Sequence, residues 1–180
     1  MLRQFLALLI FVSSASIAVH AQAGPTAERV AAVQVGGGLT IVRPDYEPNT
    51  IMGYAFYGDY DFTSHFGIEG DIHIANLITP SDISESSYVL GPRYVFNKGR
   101  FHPYGKALLG LGVFTFQAVN GLPASSSTHR MYAFGGGLDI AVKRRWNVRA
   151  FDMEYQQWPG FTANGLTPIA FTVGAAYNLF

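Results

Sequence analysis

The chain has 180 residues, twelve acidic and twelve basic side chains, and no cysteine, which excludes a disulfide framework, thiol chemistry and the electrostatic footprint of a nucleic-acid binder. Only 13% of residues are charged, whereas Tyr and Phe number 10 and 14 and Gly 20, a composition suited to a surface in hydrocarbon and to many close strand contacts.

Arg3, the apolar run Phe5 to Val12 and the A-x-A site Ala21-Gln22-Ala23 read as a secretory signal peptide over residues 1–23, cleaved after Ala23. No later stretch is apolar for the roughly 18 residues that a spanning helix needs, so the way left across a bilayer is a closed barrel over residues 24–180. After a polar lead-in, strand one is predicted over Ala32 to Val42, with Val33, Val35, Leu39 and Ile41 on one face and Gln34, Gly36, Gly38 and Thr40 on the other. A Pro-rich loop follows, Arg43 to Thr50.

The next stretch organises the chain. Met52, Tyr54, Phe56, Tyr60 and Phe62 alternate with Gly53, Ala55, Tyr57, Asp59 and Asp61. After Thr63-Ser64-His65, Phe66, Ile68, Ile72 and Ile74 alternate with Gly67, Glu69, Asp71 and His73. One face is apolar and uncharged, the other small and carboxylate-bearing, as in a barrel with lipid outside and a polar lumen. Ile78 to Ser86 reads as a long loop and Ser87 to Phe96 as strand four, with Pro92 expected at a bulge. Asn97 to Arg100 is a short turn, Phe101 to Phe116 strand five, Gln117 to Arg130 a long Ser-rich loop, and Met131 to Val142 strand six. Lys143-Arg144-Arg145 turns the chain into strand seven, Trp146 to Gln156. Trp158 to Gly165 is the last long loop, and strand eight runs from Leu166 to Phe180.

The fold class expected is therefore an all-β, eight-stranded antiparallel up-and-down transmembrane barrel. Long connections after strands one, three, five and seven would face outside, and the short turns and both termini the periplasm. Such a barrel is narrow enough for side chains to fill it, so no open pore is expected.

The runs Leu90-Gly91-Pro92-Arg93-Tyr94-Val95-Phe96, Pro103-Tyr104-Gly105-Lys106-Ala107-Leu108-Leu109-Gly110 and Gly135-Gly136-Gly137-Leu138-Asp139, followed by Asn147-Val148-Arg149, resemble the small outer-membrane β-barrel family related to OmpA and OmpX. The resemblance implies an eight-stranded barrel with a structural, adhesive or surface-interacting role. It also implies insertion by the barrel-assembly machinery with periplasmic chaperones, and a C-terminal Phe as assembly signal. Phe180 supplies that residue, one step out of phase with the apolar set Phe171, Val173, Ala175, Tyr177 and Leu179.

The inward charges cluster by height. Arg93, Lys106 and Arg149 are expected to pair with Asp59, Glu69, Asp71 and Asp139, because an unpaired buried charge is costly. Strict alternation would turn Arg149 to lipid, so a bulge near Ala150 and Phe151 is predicted, leaving Asp152 and Glu154 inside. Glu69, Asp71 and His73 project from one strand and spread along the lumen, so no metal site is expected, nor any cofactor. Gly36 to Gly38 and Gly135 to Gly137 open no helix and read as close strand contacts, not phosphate loops. Tyr60, Phe62, Tyr94, Phe96, Trp146 and Tyr177 near the short turns, and Trp158 near the outer end, read as interfacial aromatics.

The function expected is a monomeric outer-membrane barrel that meets outer-membrane lipid along its sides and an extracellular ligand through its loops. A soluble lipocalin-like carrier would need the inverse, an apolar lumen and a charged exterior. A lipid A-modifying enzyme would need a membrane-facing His and Ser with a carboxylate, whereas His129 falls in the Ser-rich loop with no His-x-Ser.

Overall fold

The computed structural model describes residues 32–79, 82–118, 123–161 and 165–179. The signal peptide and Phe180 lie outside the described residues. Eight strands follow one another: β1 (Ala32–Arg43), β2 (Ile51–Asp61), β3 (Phe66–Ile78), β4 (Ile83–Val95), β5 (Phe101–Phe116), β6 (Ser125–Lys143), β7 (Trp146–Gln157) and β8 (Ile169–Asn178). Each pairs antiparallel with its sequence neighbour, and β1 pairs with β8, so the sheet closes without an edge.

Residues that face opposite ways along each strand meet opposite surroundings. Along β2, Ala55, Tyr57 and Asp59 are buried while Tyr54, Phe56 and Tyr60 are exposed. Along β3, Glu69, Asp71 and His73 are buried while Phe66, Ile68 and Ile72 are exposed. The exterior is a continuous apolar belt that includes Leu90, Leu109, Phe134 and Val173, and the carboxylates and cations sit inside. This is the inverse of a soluble carrier. The glycine runs 36–38 and 135–137 lie inside β1 and β6. At Gly36 the Tyr57 ring covers the backbone so closely that a Cβ would collide with it.

Three boundaries differ from the sequence reading. β4 begins at Ile83 instead of Ser87, so the connection after β3 shrinks to residues 79–82 and is as short as the turns at the other end. β6 begins at Ser125 instead of Met131, and the Ser-rich segment is paired strand, with Phe116 opposite Ser125. β8 begins at Ile169, Leu166 making only an isolated bridge to Trp158. Nor does Pro92 occupy a bulge. Its pairing with β3 is regular, and pairing with β5 lapses between Leu90↔Leu109 and Arg93↔Lys106 but resumes in the same register. A residue with no N–H costs one ladder bond there, without an extra residue. The predicted bulge in β7 is present: Leu138 opposes Phe151 and Asp139 opposes Arg149, which leaves Ala150 as the extra residue.

The interior is not polar throughout. Towards the long-loop end, Val89, Leu108, Phe114, Met131, Ala133, Trp158 and Leu166 form one apolar cluster, and Val42, Ile51, Ala75 and Ala170 a second.

Candidate functional site

β2, β3, β4, β5, β6 and β7 converge their inward charges on one level of the lumen. The Arg93 guanidinium reaches Asp59 at 2.5 Å, Asp139 at 2.6 Å and Glu69 at 3.2 Å. Arg149 reaches Glu69 at 2.9 Å and Asp139 at 3.1 Å, with Asp152 and Asp59 at 3.4 Å. Lys106 Nζ touches four carboxylates, lying 2.7 Å from Asp71, Asp152 and Glu154 and 2.9 Å from Glu69. Two aromatic faces complete the packing, with Arg149 3.6 Å over the Tyr57 ring and Arg93 4.1 Å over that of Tyr104. The Tyr104 hydroxyl donates to Asp152.

Further polar side chains cap this layer on both sides. Towards the short turns, Gln34 donates to Asp59 at 2.7 Å and accepts from Asn147 at 2.5 Å. Towards the long loops, His73 lies 3.4 Å from Glu154 and 3.1 Å from the Thr40 hydroxyl, which accepts from Thr172 at 3.2 Å. The space between Tyr57, His73, Lys106 and Arg149 leaves no volume for a water molecule.

The expectation that the lumen histidine and its neighbouring carboxylates stay apart is corrected. Asp71, His73 and Glu154 bring ligand atoms within 4.8 Å of one another, the third arriving across the narrow lumen from β7 instead of from Glu69 on the same strand. Lys106 Nζ, 2.7 Å from both carboxylates, already fills the cation position between them.

Trp158 is also corrected. It is not an interfacial residue at the outer end but is 1% exposed, turned over the barrel mouth. Its Nε1 donates to Gln156 at 3.3 Å, and its ring packs on Gly112, where a Cβ would lie 2.5 Å from ring carbons. Sequence reasoning missed the whole apolar layer to which it belongs. The signal was there in the inward-parity residues Leu108, Phe114 and Met131, which break the polar run of the lumen face. The other six aromatics face outward at the short-turn end, where Tyr94 packs edge-on to Phe66 and Phe96, and Trp146 to Tyr177 at 5.2 Å.

His129 lies on β6, with Nε2 3.0 Å from Ser127 Oγ. Both share the interior parity of Met131, above the apolar layer, and His129 packs on Phe161 at 5.1 Å. Among the described residues no carboxylate stands within ion-pair distance of His129.

At the long-loop end, Tyr46 donates to Glu85 at 2.7 Å, and Asp45 accepts from the Thr167 backbone N–H and hydroxyl at 2.9 and 2.7 Å. Burial and the nearby Glu85 carboxylate push the Tyr46 phenol well above its ordinary value, so it remains a donor.

No curated protein sequence matches the chain. Among solved structures it is similar to Neisserial surface protein A (14% identity, TM-score 0.61, covering 82% of this chain and 95% of that one). It is similar to the outer membrane protein OprG from Pseudomonas aeruginosa (16%, 0.59, 83% and 96%). A third is Ail, the attachment invasion locus protein of Yersinia pestis, in complex with the heparin analogue sucrose octasulfate (18%, 0.55, 83% and 97%). At these identities the likeness is one of fold. The profile of the outer membrane protein beta-barrel domain matches residues 7–178. A match over nearly the whole length, on a closed eight-stranded sheet with an apolar exterior, means that the chain belongs to the outer membrane protein β-barrel domain family and sits in the lipid of a bacterial outer membrane.

Proposed function

We propose that this protein is a monomeric, non-conducting, non-enzymatic barrel that holds its long-loop end outside the cell as a surface-interaction platform of the adhesion kind, with both termini in the periplasm. Its insertion is assigned to the barrel-assembly machinery and periplasmic chaperones. The observation that carries the reading is that the lumen is blocked twice in series. A salt-bridged layer around Arg93, Lys106 and Arg149 is followed by an apolar layer under Trp158. An ion would have to displace paired charges and then cross a hydrocarbon-like plug, each unfavourable by itself.

What the loops would bind is constrained by their charge. Asp45, Glu47 and Asp82 stand at that end against Arg43 and Arg130, with Glu85 buried behind Tyr46. The Ail structure holds a polyanion on that protein. Here the acidic end favours a neutral or cationic surface ligand. Their place over the lumen instead of on the lipid face, with no carboxylate beside them among the described residues, supports a non-enzymatic reading of His129 and Ser127.

Planar-bilayer recording is the test of closure: the refolded barrel is expected to give no stable conductance, and a reproducible single-channel step would overturn it. For the platform, replacing 117–124 and 159–165 by short turns, which leaves Trp158 and Leu166 in place, is expected to abolish adhesion and serum resistance while the barrel still folds. Unchanged adhesion would remove the surface role.

A further inference from the structure

The neutral net charge conceals a separation of charge along the barrel axis. The β4–β5 turn carries Lys98 and Arg100, and the end of β6 with its connection to β7 carries Lys143, Arg144 and Arg145, all exposed. The two turns touch, the Ala141 N–H donating to the Arg100 carbonyl at 2.9 Å. Among the described residues, none of the five cations has a carboxylate within ion-pair distance, and the two acids that line this mouth of the lumen, Asp61 and Asp139, are half-buried and buried on the lumen face. The opposite end is acidic.

We propose that this rim binds the headgroups of anionic phospholipids in the leaflet that surrounds it. Lipid, and not a soluble polyanion, is the occupant because the rim is anchored to the lipid-facing surface at Arg145, with Lys143 and Arg144 beside it at the lumen mouth. Arg145 Nη1 donates to the Tyr177 hydroxyl at 3.0 Å, and Tyr177 packs edge-on to Trp146, which is 50% exposed on the apolar belt. Aromatic residues of that kind settle at headgroup depth, which sets the guanidinium at the height of the phosphates. The connection after Lys143 is only Arg144 and Arg145, too short to carry the cations out into the aqueous phase. Five cations grouped on two touching turns act together, within the roughly 8–10 Å over which salt screens. That the leaflet is the periplasmic one rests on the orientation proposed above.

The chain supplies its own reporter. It has two tryptophans, of which Trp158 is shielded and Trp146 sits on the basic rim. The mature barrel is refolded into phosphatidylcholine vesicles that hold an equal minor fraction of brominated phosphatidylglycerol or brominated phosphatidylcholine. Quenching of Trp146 by the anionic lipid is expected to exceed that by the zwitterionic lipid by about threefold or more at low salt. The excess should vanish in a variant with Lys98, Arg100, Lys143, Arg144 and Arg145 all changed to Gln, and persist in Arg43→Gln/Arg130→Gln. High salt should erase it in the unaltered protein, a measurement that needs no variant to fold. Equal quenching by both lipids, or an excess that survives the five substitutions, overturns the proposal. Orientation is read separately. Gly99→Cys in this cysteine-free chain should resist an impermeant maleimide on intact cells, and labelling would overturn the leaflet assignment while the vesicle result still decides the headgroup preference.

Discussion

Arg149 holds more carboxylates together than its place in the sequence suggests. It contacts Glu69 on β3, Asp139 on β6 and Asp59 on β2, and stacks on Tyr57, so its loss would leave these acids to Arg93 and Lys106, one cation short in a space too small for water. Arg149→Met is expected to lower stability in urea-driven unfolding from vesicles by about 3–5 kcal/mol, the usual cost of removing one partner of a buried pair. Removing an acid as well should return part of that loss, so Arg149→Met/Asp139→Asn should be less unstable than the sum of the single changes. Strict additivity would mean that the two side chains do not act as a pair. Trp158 illustrates the other kind of residue. Its composition and loop position match an interfacial aromatic, and its inward turn depends on the gap at Gly112 on a strand far away in sequence, which no local pattern encodes.

At the scale of the strand, what the sequence displays is the difference between two surroundings. β2 and β3 were legible because lipid and lumen select opposite residues at alternate positions, and the β7 bulge followed from the need to keep Arg149 and Asp152 on one side. The start of β6 was not legible. Ser125 to Arg130 continues the hydrogen-bonded ladder with β5, but beyond the bilayer both faces meet water, and the alternation that marks a strand disappears. At 16 and 19 residues, β5 and β6 exceed the roughly 9–11 that span hydrocarbon. The bulge makes an unusual prediction. With Ala150 deleted, Arg149, Phe151 and Asp152 fall into plain alternation, and Phe151 would oppose Val173 between the existing pairs Arg149↔Gly174 and Asp152↔Thr172. The deletion is therefore expected to fold with a stability change under about 1 kcal/mol. Deleting Phe134 from the regular part of β6 would flip one side of the strand and prevent folding, because a slip of one residue exchanges the faces. Heat-modifiable gel mobility compares the two, and equal behaviour would mean that the bulge is not the extra residue.

For the whole molecule, closure matters more than the order in which the strands are joined. Every strand completes its ladder with two neighbours, and β1 and β8 do so with each other from Gln34↔Asn178 to Arg43↔Ile169. In hydrocarbon each unpaired backbone group costs several kcal/mol, so a sheet lacking one strand exposes two rows of such groups and has no stable inserted state. A chain truncated before Ile169 is expected to give no heat-modifiable band on refolding into detergent micelles. A circular permutant that begins at Trp146, ends at Lys143 and joins the old termini by a short linker should refold, since the Leu179 N–H already donates to the Val33 carbonyl at 2.8 Å and the linker has little distance to cover. The same permutant moves the terminal segment into the interior of the chain. Expressed in cells, it separates the closed sheet from the C-terminal signal expected at Phe180: folding in detergent with failure to insert in cells would assign recognition to the chain end. A compact, heat-modifiable truncated chain would instead show that the ladder between β1 and β8 is dispensable, and with it the account of why this sheet crosses the membrane.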